Sequence, residues 1–307
     1  MHRPLSWSLV VLVAFAAVLP VAGCGSKKAP ATIADLLTRA KKNPKPEGRA
    51  RDLAKVAGMQ ITSKDKTGAA RTLEMALAEI PADGQPLVCV PVLVEIAQTY
   101  ADIGQRSSAK KAVEVAATMA GGVEDPQGKA GLLAQVGVAK AAAGDKTGAK
   151  ESLGEAAKLA MNDVPERFRG KALAAVAMGY VDAGLADAAN DVIGTLEELA
   201  GGLEELRPKA EAFAAAAAVR AATSDKEAAK KLLAQAAEAA KGITDFPANR
   251  VYALVAVAKA LVASGDVKGA LALLADAEKS ASKVPDPEQQ KDAMKTVRVL
   301  QARLKKE

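Results

Sequence analysis

Residues Gly144–Lys150 read GDKTGAK. Two glycines, a short polar run and a lysine are the materials of a loop that cradles phosphate. Such a loop needs four residues between its glycines, then Lys and Ser or Thr at once, so that backbone N–H groups wrap the phosphates and the hydroxyl reaches a metal. Here three residues separate Gly144 from Gly148, Ala149 stands where the lysine belongs, and Glu151 follows Lys150. Spacing and charge both argue against a phosphate loop. The same slot reads KDKTGAA from Lys64, GQRSSAK from Gly104, GLADAAN from Gly184, SDKEAAK from Ser224 and GDVKGAL from Gly265. Its alanine recurs at Ala69, Ala109, Ala149, Ala189, Ala229 and Ala270, in steps of 40, 40, 40, 40 and 41 residues. GDKTGAK is one copy of a turn used six times.

What flanks the turn is helical. Before it, apolar residues fall at i, i+3, i+4 and i+7, as in Leu93, Ile96, Ala97 and Tyr100, or Leu173, Val176, Ala177 and Tyr180. After it, Ala149, Leu153 and Ala156, or Ala189, Ile193 and Leu196, share one face. Small residues at Ala97, Gly137, Ala177, Ala217 and Ala258 would let the paired helices approach. The repeat therefore predicts an antiparallel helical hairpin. Gly122, Asn162, Gly202 and Gly242 recur at the end of the second helix, where a left-handed residue is expected to close the last carbonyls. Prolines at 86, 126, 165, 247 and 287 then introduce the next hairpin.

The order Leu173, Val176, Ala177, Tyr180, Gly184, Ala189, Ile193 and Leu196 resembles the tetratricopeptide repeat, as does Leu93, Ile96, Ala97, Tyr100, Gly104, Ala109, Val113 and Ala116. The period is 40 residues where the family has 34, and Leu replaces the usual Trp. With the repeat register, the resemblance implies an all-α fold: an α-solenoid of about six 40-residue antiparallel helical hairpins with polar capping helices. The expected organisation is a capping half-repeat over 32–48, six tetratricopeptide-like repeats over 49–287 and a capping helix over 288–307. In the family, the first helices line a concave groove that receives peptides. Carried over, the groove positions are Val94, Gln98 and Ala101; Ala134, Val138 and Ala141; Ala174, Met178 and Val181; and Ala214, Ala218 and Ala221. Gln98, Val138, Met178 and Val181 are the candidate partner-binding residues. The Lys and Asn clamp by which some family members grip a peptide carboxylate is absent from these positions. Two readings stay open: a groove for an apolar partner segment, or a solenoid that fills its own groove.

The chain has 307 residues, 50% hydrophobic but only 3% aromatic, a composition that suits close helix packing through small aliphatic side chains. Near its start, Arg3 precedes an apolar run, Leu9–Leu19, too short for a permanent membrane span. VAGC, Val21–Cys24, follows and resembles the bacterial lipobox. That resemblance implies a signal peptide over 1–23, lipidation of Cys24 with diacylglyceryl and palmitate-type acyl chains, and a linker over 24–31. Gly25, where aspartate would resemble an inner-membrane retention signal, favours an outer-membrane anchor facing the periplasm if the cell is Gram-negative.

Cleavage would remove His2 and Trp7, the only residues of their kinds, and leave Cys89 as the only unmodified cysteine. The mature chain would then hold no Ser-His or Cys-His pair, no His-containing zinc site and no internal disulfide. Cys89 reads as a small buried apolar residue. Net charge is +6 before cleavage, yet no basic patch interleaved with aromatics marks a nucleic-acid site. The expectation is a non-enzyme without cofactor, metal, nucleotide or nucleic acid. Arg49, Lys129, Arg169, Lys209 and Arg250 form a ladder at the start of the first helices. They are expected to meet acids of the preceding turns, such as Glu124, Asp125, Asp163, Glu166 and Asp245. The leading function is a membrane-anchored scaffold or adaptor for envelope proteins. The alternative is a carrier or enzyme accessory that holds a peptidoglycan or lipid fragment along the groove.

Overall fold

Each hairpin is set by its turn. The computed structural model describes residues 31–305, where a short helix α1 (Ile33–Lys41) precedes six hairpins and a closing helix α14 (Pro287–Leu304). The hairpins pair α2 (Pro46–Thr62) with α3 (Lys66–Ala78), α4 (Pro86–Asp102) with α5 (Arg106–Gly121), and α6 (Pro126–Ala142) with α7 (Lys146–Asn162). They continue with α8 (Glu166–Asp182) and α9 (Ala186–Gly202), α10 (Leu206–Ala222) and α11 (Lys226–Gly242), and α12 (Pro247–Ala263) and α13 (Val267–Ala281). Among the described residues there is no strand, and the fold class is the all-α solenoid the repeat implied. The signal peptide, Cys24 and most of the linker lie outside the described residues.

The left-handed residue sits inside the hairpin, at the turn itself. Gly104, Gly144, Gly184 and Gly265 have φ of +86°, +87°, +71° and +88°, and Lys64 and Ser224 take the same role at +64° and +66°. Around Gly144, its N–H donates to Ala141 O at 3.0 Å and that of Asp145 to Lys140 O at 2.9 Å, closing the end of the first helix. The same pair of bonds recurs in all six turns. By contrast, Gly122 has φ −76°, and Asn162, Gly202 and Gly242 are the last helical residues of their helices, which corrects the expectation of left-handed caps there. At Gly242 the reason for glycine is space: a β-carbon would come within 3.2 Å of Leu206 Cδ1.

Asp145 then starts the second helix. Its Oδ1 accepts from Gly148 N at 2.9 Å, satisfying a donor that helix geometry leaves unpaired. A β-carbon at Gly148 would run into that carboxylate, as would one at Gly68 with Asp65 or at Gly269 with Asp266. Asp225, which faces Ala228 instead, bonds at a longer 3.2 Å. The recurring D-x-x-G is thus a carboxylate cap together with the space it needs.

Two compact units divide the chain, the boundary passing through α6 and α7: residues 31–123 and 138–149 form the first, 124–137 and 150–305 the second. In the first, α2 packs on α3 and α4, and α4 on α5, around Leu53, Leu73, Leu93, Ile96 and Tyr100. In the second, α8, α10 and α12 pack successively, each on its partner helix, around Leu173, Ile193, Leu196, Leu254 and Leu274. Ala97, Ala177, Ala217 and Ala258 are fully buried, so the small residues do sit where helices cross. Glycine is needed at 170, where a β-carbon would lie 2.9 Å from Ala212 Cβ, and at 179, where one would lie 2.7 Å from Leu153 Cδ2. On α14, Val297 is buried, while Arg298 faces water and pairs with Glu278 at 3.3 Å, the polar face of a cap.

Candidate functional site

The first helix of a hairpin has one face sealed by its partner and by the neighbouring first helices, leaving a narrow strip in reach of solvent. Gln98 on α4 and Val138 on α6 lie on such strips in the first unit, and, separately, Met178 and Val181 lie on that of α8 in the second. All four are half-buried. Ala101, Ala141, Ala174, Ala218 and Ala221 are half-buried as well. Val94, Ala134 and Ala214, carried over from the family's groove, are core residues here, exposed by 7%, 3% and 2%. At Ala134 close approach is the reason: α8 comes so near that a β-carbon at Gly179 would stand 3.4 Å from the Ala134 carbonyl oxygen.

Carboxylates interrupt the strip. In the first unit, Glu95 is half-buried one turn from Gln98; surrounding protein pushes its carboxyl above the usual range, while Lys55 and Arg51 of α2 pull the other way. Asp102, one turn beyond Gln98, is likewise raised by loss of solvent. In the second unit, Asp182 follows Val181 and is raised for the same reason. Among the described residues, no group of three or more His, Cys, Asp or Glu could hold a metal ion.

Two other features singled out in the sequence take structural places. At the phosphate-loop look-alike, Asp145 stands just before the start of α7 and takes the Gly148 N–H that such a loop would aim at phosphate. Cys89 is fully buried, and burial pushes its thiol above the ordinary value, with Glu47 adding to the effect. It packs as a small apolar side chain.

In the basic ladder, Arg169 and Arg250 bond to partners other than the acids expected of them, and Arg49 does so in part. Arg49 meets an acid, Glu79, at 2.8 Å, but it also donates to Asn43 O at 3.1 Å and Pro44 O at 3.3 Å. Arg169 donates to Val164 O at 3.4 Å, and Arg250 to Ile243 O at 3.5 Å. Gln290, in the same position, donates to Ser282 O and Val284 O. The targets shared by these copies are backbone carbonyls at the end of the preceding helix or in the turn after it. Those oxygens lie past the last helical residue, in the connection between hairpins, where a buried carbonyl needs a partner, and a long donor from the next element supplies one. The sequence showed the cation but not the oxygen.

No protein-family model matches this chain, and no curated protein matches it. Solved structures of low similarity include Ton1535 from Thermococcus onnurineus NA1, 17% identical over 86% of this chain and 83% of that one, with a TM-score of 0.34. An assembly chaperone of RpL4, Acl4 (residues 1–338), is 14% identical over 84% and 98%, at 0.31. A circular tandem repeat protein with novel repeat topology and enhanced subunit contact surfaces is 12% identical over 89% and 74%, at 0.33.

Proposed function

We propose that this chain is a lipid-anchored, non-enzymatic repeat scaffold of the bacterial envelope, tetratricopeptide-like in its hairpins, which holds a partner protein along its first helices. The observation that carries this reading is the partial exposure of Gln98, Val138 and Met178 at one repeat position, each beside a sealed neighbour: Ala97, Gly137 and Ala177. The apolar side chains of Val138 and Met178, left in reach of solvent beside the tightly packed Gly137 and Ala177, suit an apolar segment of another envelope protein. Burying each such side chain would contribute ~1.5–3 kcal/mol before ordering costs. The anchor in this reading is Cys24, acylated after removal of residues 1–23, at an outer membrane facing the periplasm where the cell has one.

Cross-linking in detergent-solubilised envelopes, comparing the wild type with Met178→Glu, tests the partner strip. Loss of one cross-linked partner with an unchanged melting temperature is the expected result. A stable Met178→Glu protein that keeps the partner removes the strip as the binding surface, and a variant that unfolds makes Met178 a core residue. Mass spectrometry of the mature N-terminus tests the anchor independently, since cleavage elsewhere without lipid would end that part of the reading.

A further inference from the structure

We propose that the hairpin-turn edge of the first unit docks on an anionic phospholipid surface, the one to which a lipid on Cys24 would tether it; the inference rests on the anchor reading above. In this unit the second helices of three successive hairpins open with a cation and a hydroxyl: Lys66-Thr67 on α3, Arg106-Ser107 on α5 and Lys146-Thr147 on α7. All six residues are exposed, as are Lys64, Lys110 and Lys111 nearby. The Arg106 side chain runs along the next turn, where a β-carbon at Gly144 would stand 3.9 Å from its Cδ and Nε.

These cations do not serve their own helices. The first turns of α3, α5 and α7 contain no acidic residue, and a positive side chain there opposes the positive end of the helix dipole. Asp65 and Asp145 at the same edge each commit an oxygen to a backbone N–H, of Gly68 and Gly148. With anionic headgroups opposite, side chain, hydroxyl and helix dipole would all attract. The pattern stops with this unit: the corresponding pairs in the second are Ala186-Asp187, Lys226-Glu227 and Val267-Lys268.

Net charge follows the same division. The first unit has 15 Lys and Arg against 11 Asp and Glu, whereas residues 124–137 and 150–305 have 23 against 24. The positive excess thus belongs to the unit next to the tether, and Lys27 and Lys28 of the tether add to it. Only seven residues separate Cys24 from Thr32, a reach of at most ~25 Å when extended. Anchored so closely, several weak attractions to anionic headgroups act together at high effective concentration. Exposed threonine and serine beside the cations, in place of large apolar side chains, suit contact with headgroups and not insertion among acyl chains.

The test uses the lipidated mature chain, spin-labelled at Thr67→Cys, in vesicles of phosphatidylcholine with or without phosphatidylglycerol; buried Cys89 stays unlabelled. Phosphatidylglycerol is expected to raise the label's contact with a headgroup-bound relaxing agent roughly threefold, and salt or combined Lys66→Glu, Arg106→Glu and Lys146→Glu to abolish the rise. The triple variant should melt no lower than the wild type, because acids suit these first turns. Equal contact without anionic lipid, contact that survives charge reversal, or a label that stays in water while the chain remains anchored overturns the proposal. So does a label that soluble polyphosphate engages but anionic vesicles do not. A mature chain that mass spectrometry shows to carry no lipid at Cys24 instead means that the anchor reading has failed, and the docking falls with it.

Discussion

The connection inside each hairpin and the connection between hairpins solve the same problem differently. Inside, three residues always suffice, from 63–65 to 264–266, with one left-handed residue and the same two backbone bonds in every copy. Between hairpins the length runs from three residues at 163–165 to seven at 79–85, and the 41-residue step is absorbed there, beside the exposed Phe246. Inner turns hold the register. Outer connections tolerate variation because long side chains, such as those of Arg49, Arg169, Arg250 and Gln290, reach back to stitch them.

Breaking an inner turn should cost most. Gly144→Val forces a β-branched residue to φ near +87° and should destabilise by ~1–3 kcal/mol in thermal or urea unfolding. Removing the cap with Asp145→Ala should cost ~1 kcal/mol, since Gly148 N loses its acceptor. Gln105, whose side chain makes no capping bond, offers the reverse change, and Gln105→Asp should stabilise by somewhat less. The outer glycine should respond with opposite sign. Gly122 has helical backbone angles and no atom within 3.7 Å of a would-be β-carbon, so Gly122→Ala should stabilise by about 0.5 kcal/mol. Loss of stability there would break the distinction between the two connections.

Last comes an effect that shows no pH dependence near neutrality, that of Tyr100, whose phenol is pushed up to about 12 by burial, with Glu74 adding to it. The folded chain keeps this proton after the unfolded chain has lost it. Stability from Tyr100 is therefore complete below the ordinary phenol value of 10.0 and is lost as pH rises towards about 12. Tyrosine absorbance should show a late titration that coincides with unfolding, and Tyr100→Phe should remove it.

The hairpins, their period and the crossing alanines were legible because they rest on local spacing: Ala149 and Ala177 mark buried contacts at helical intervals. The left-handed position was harder to read. Glycine occurs at both kinds of connection, while Lys64 and Ser224 hold the left-handed turn in two copies without it, so composition did not separate the roles. Reading the site fell short where packing decides. Met178 and Val181 remain within reach of solvent, but Val94, Ala134 and Ala214 are sealed, Ala134 by a helix whose approach depends on a glycine 45 residues away, Gly179. The targets of Arg169 and Arg250 were hidden because a sequence displays side-chain charge and not the direction of a carbonyl.

Amide hydrogen exchange across all six inner turns, with and without magnesium ATP, tests most directly whether GDKTGAK is one turn among six equals. The amides of Asp65, Gln105, Asp145, Leu185, Asp225 and Asp266 should all be protected through their bonds to the preceding helix, and ATP should leave residues 144–150 unchanged. Slowing confined to 144–150 on addition of ATP, and lost in Lys150→Ala, would contradict the account.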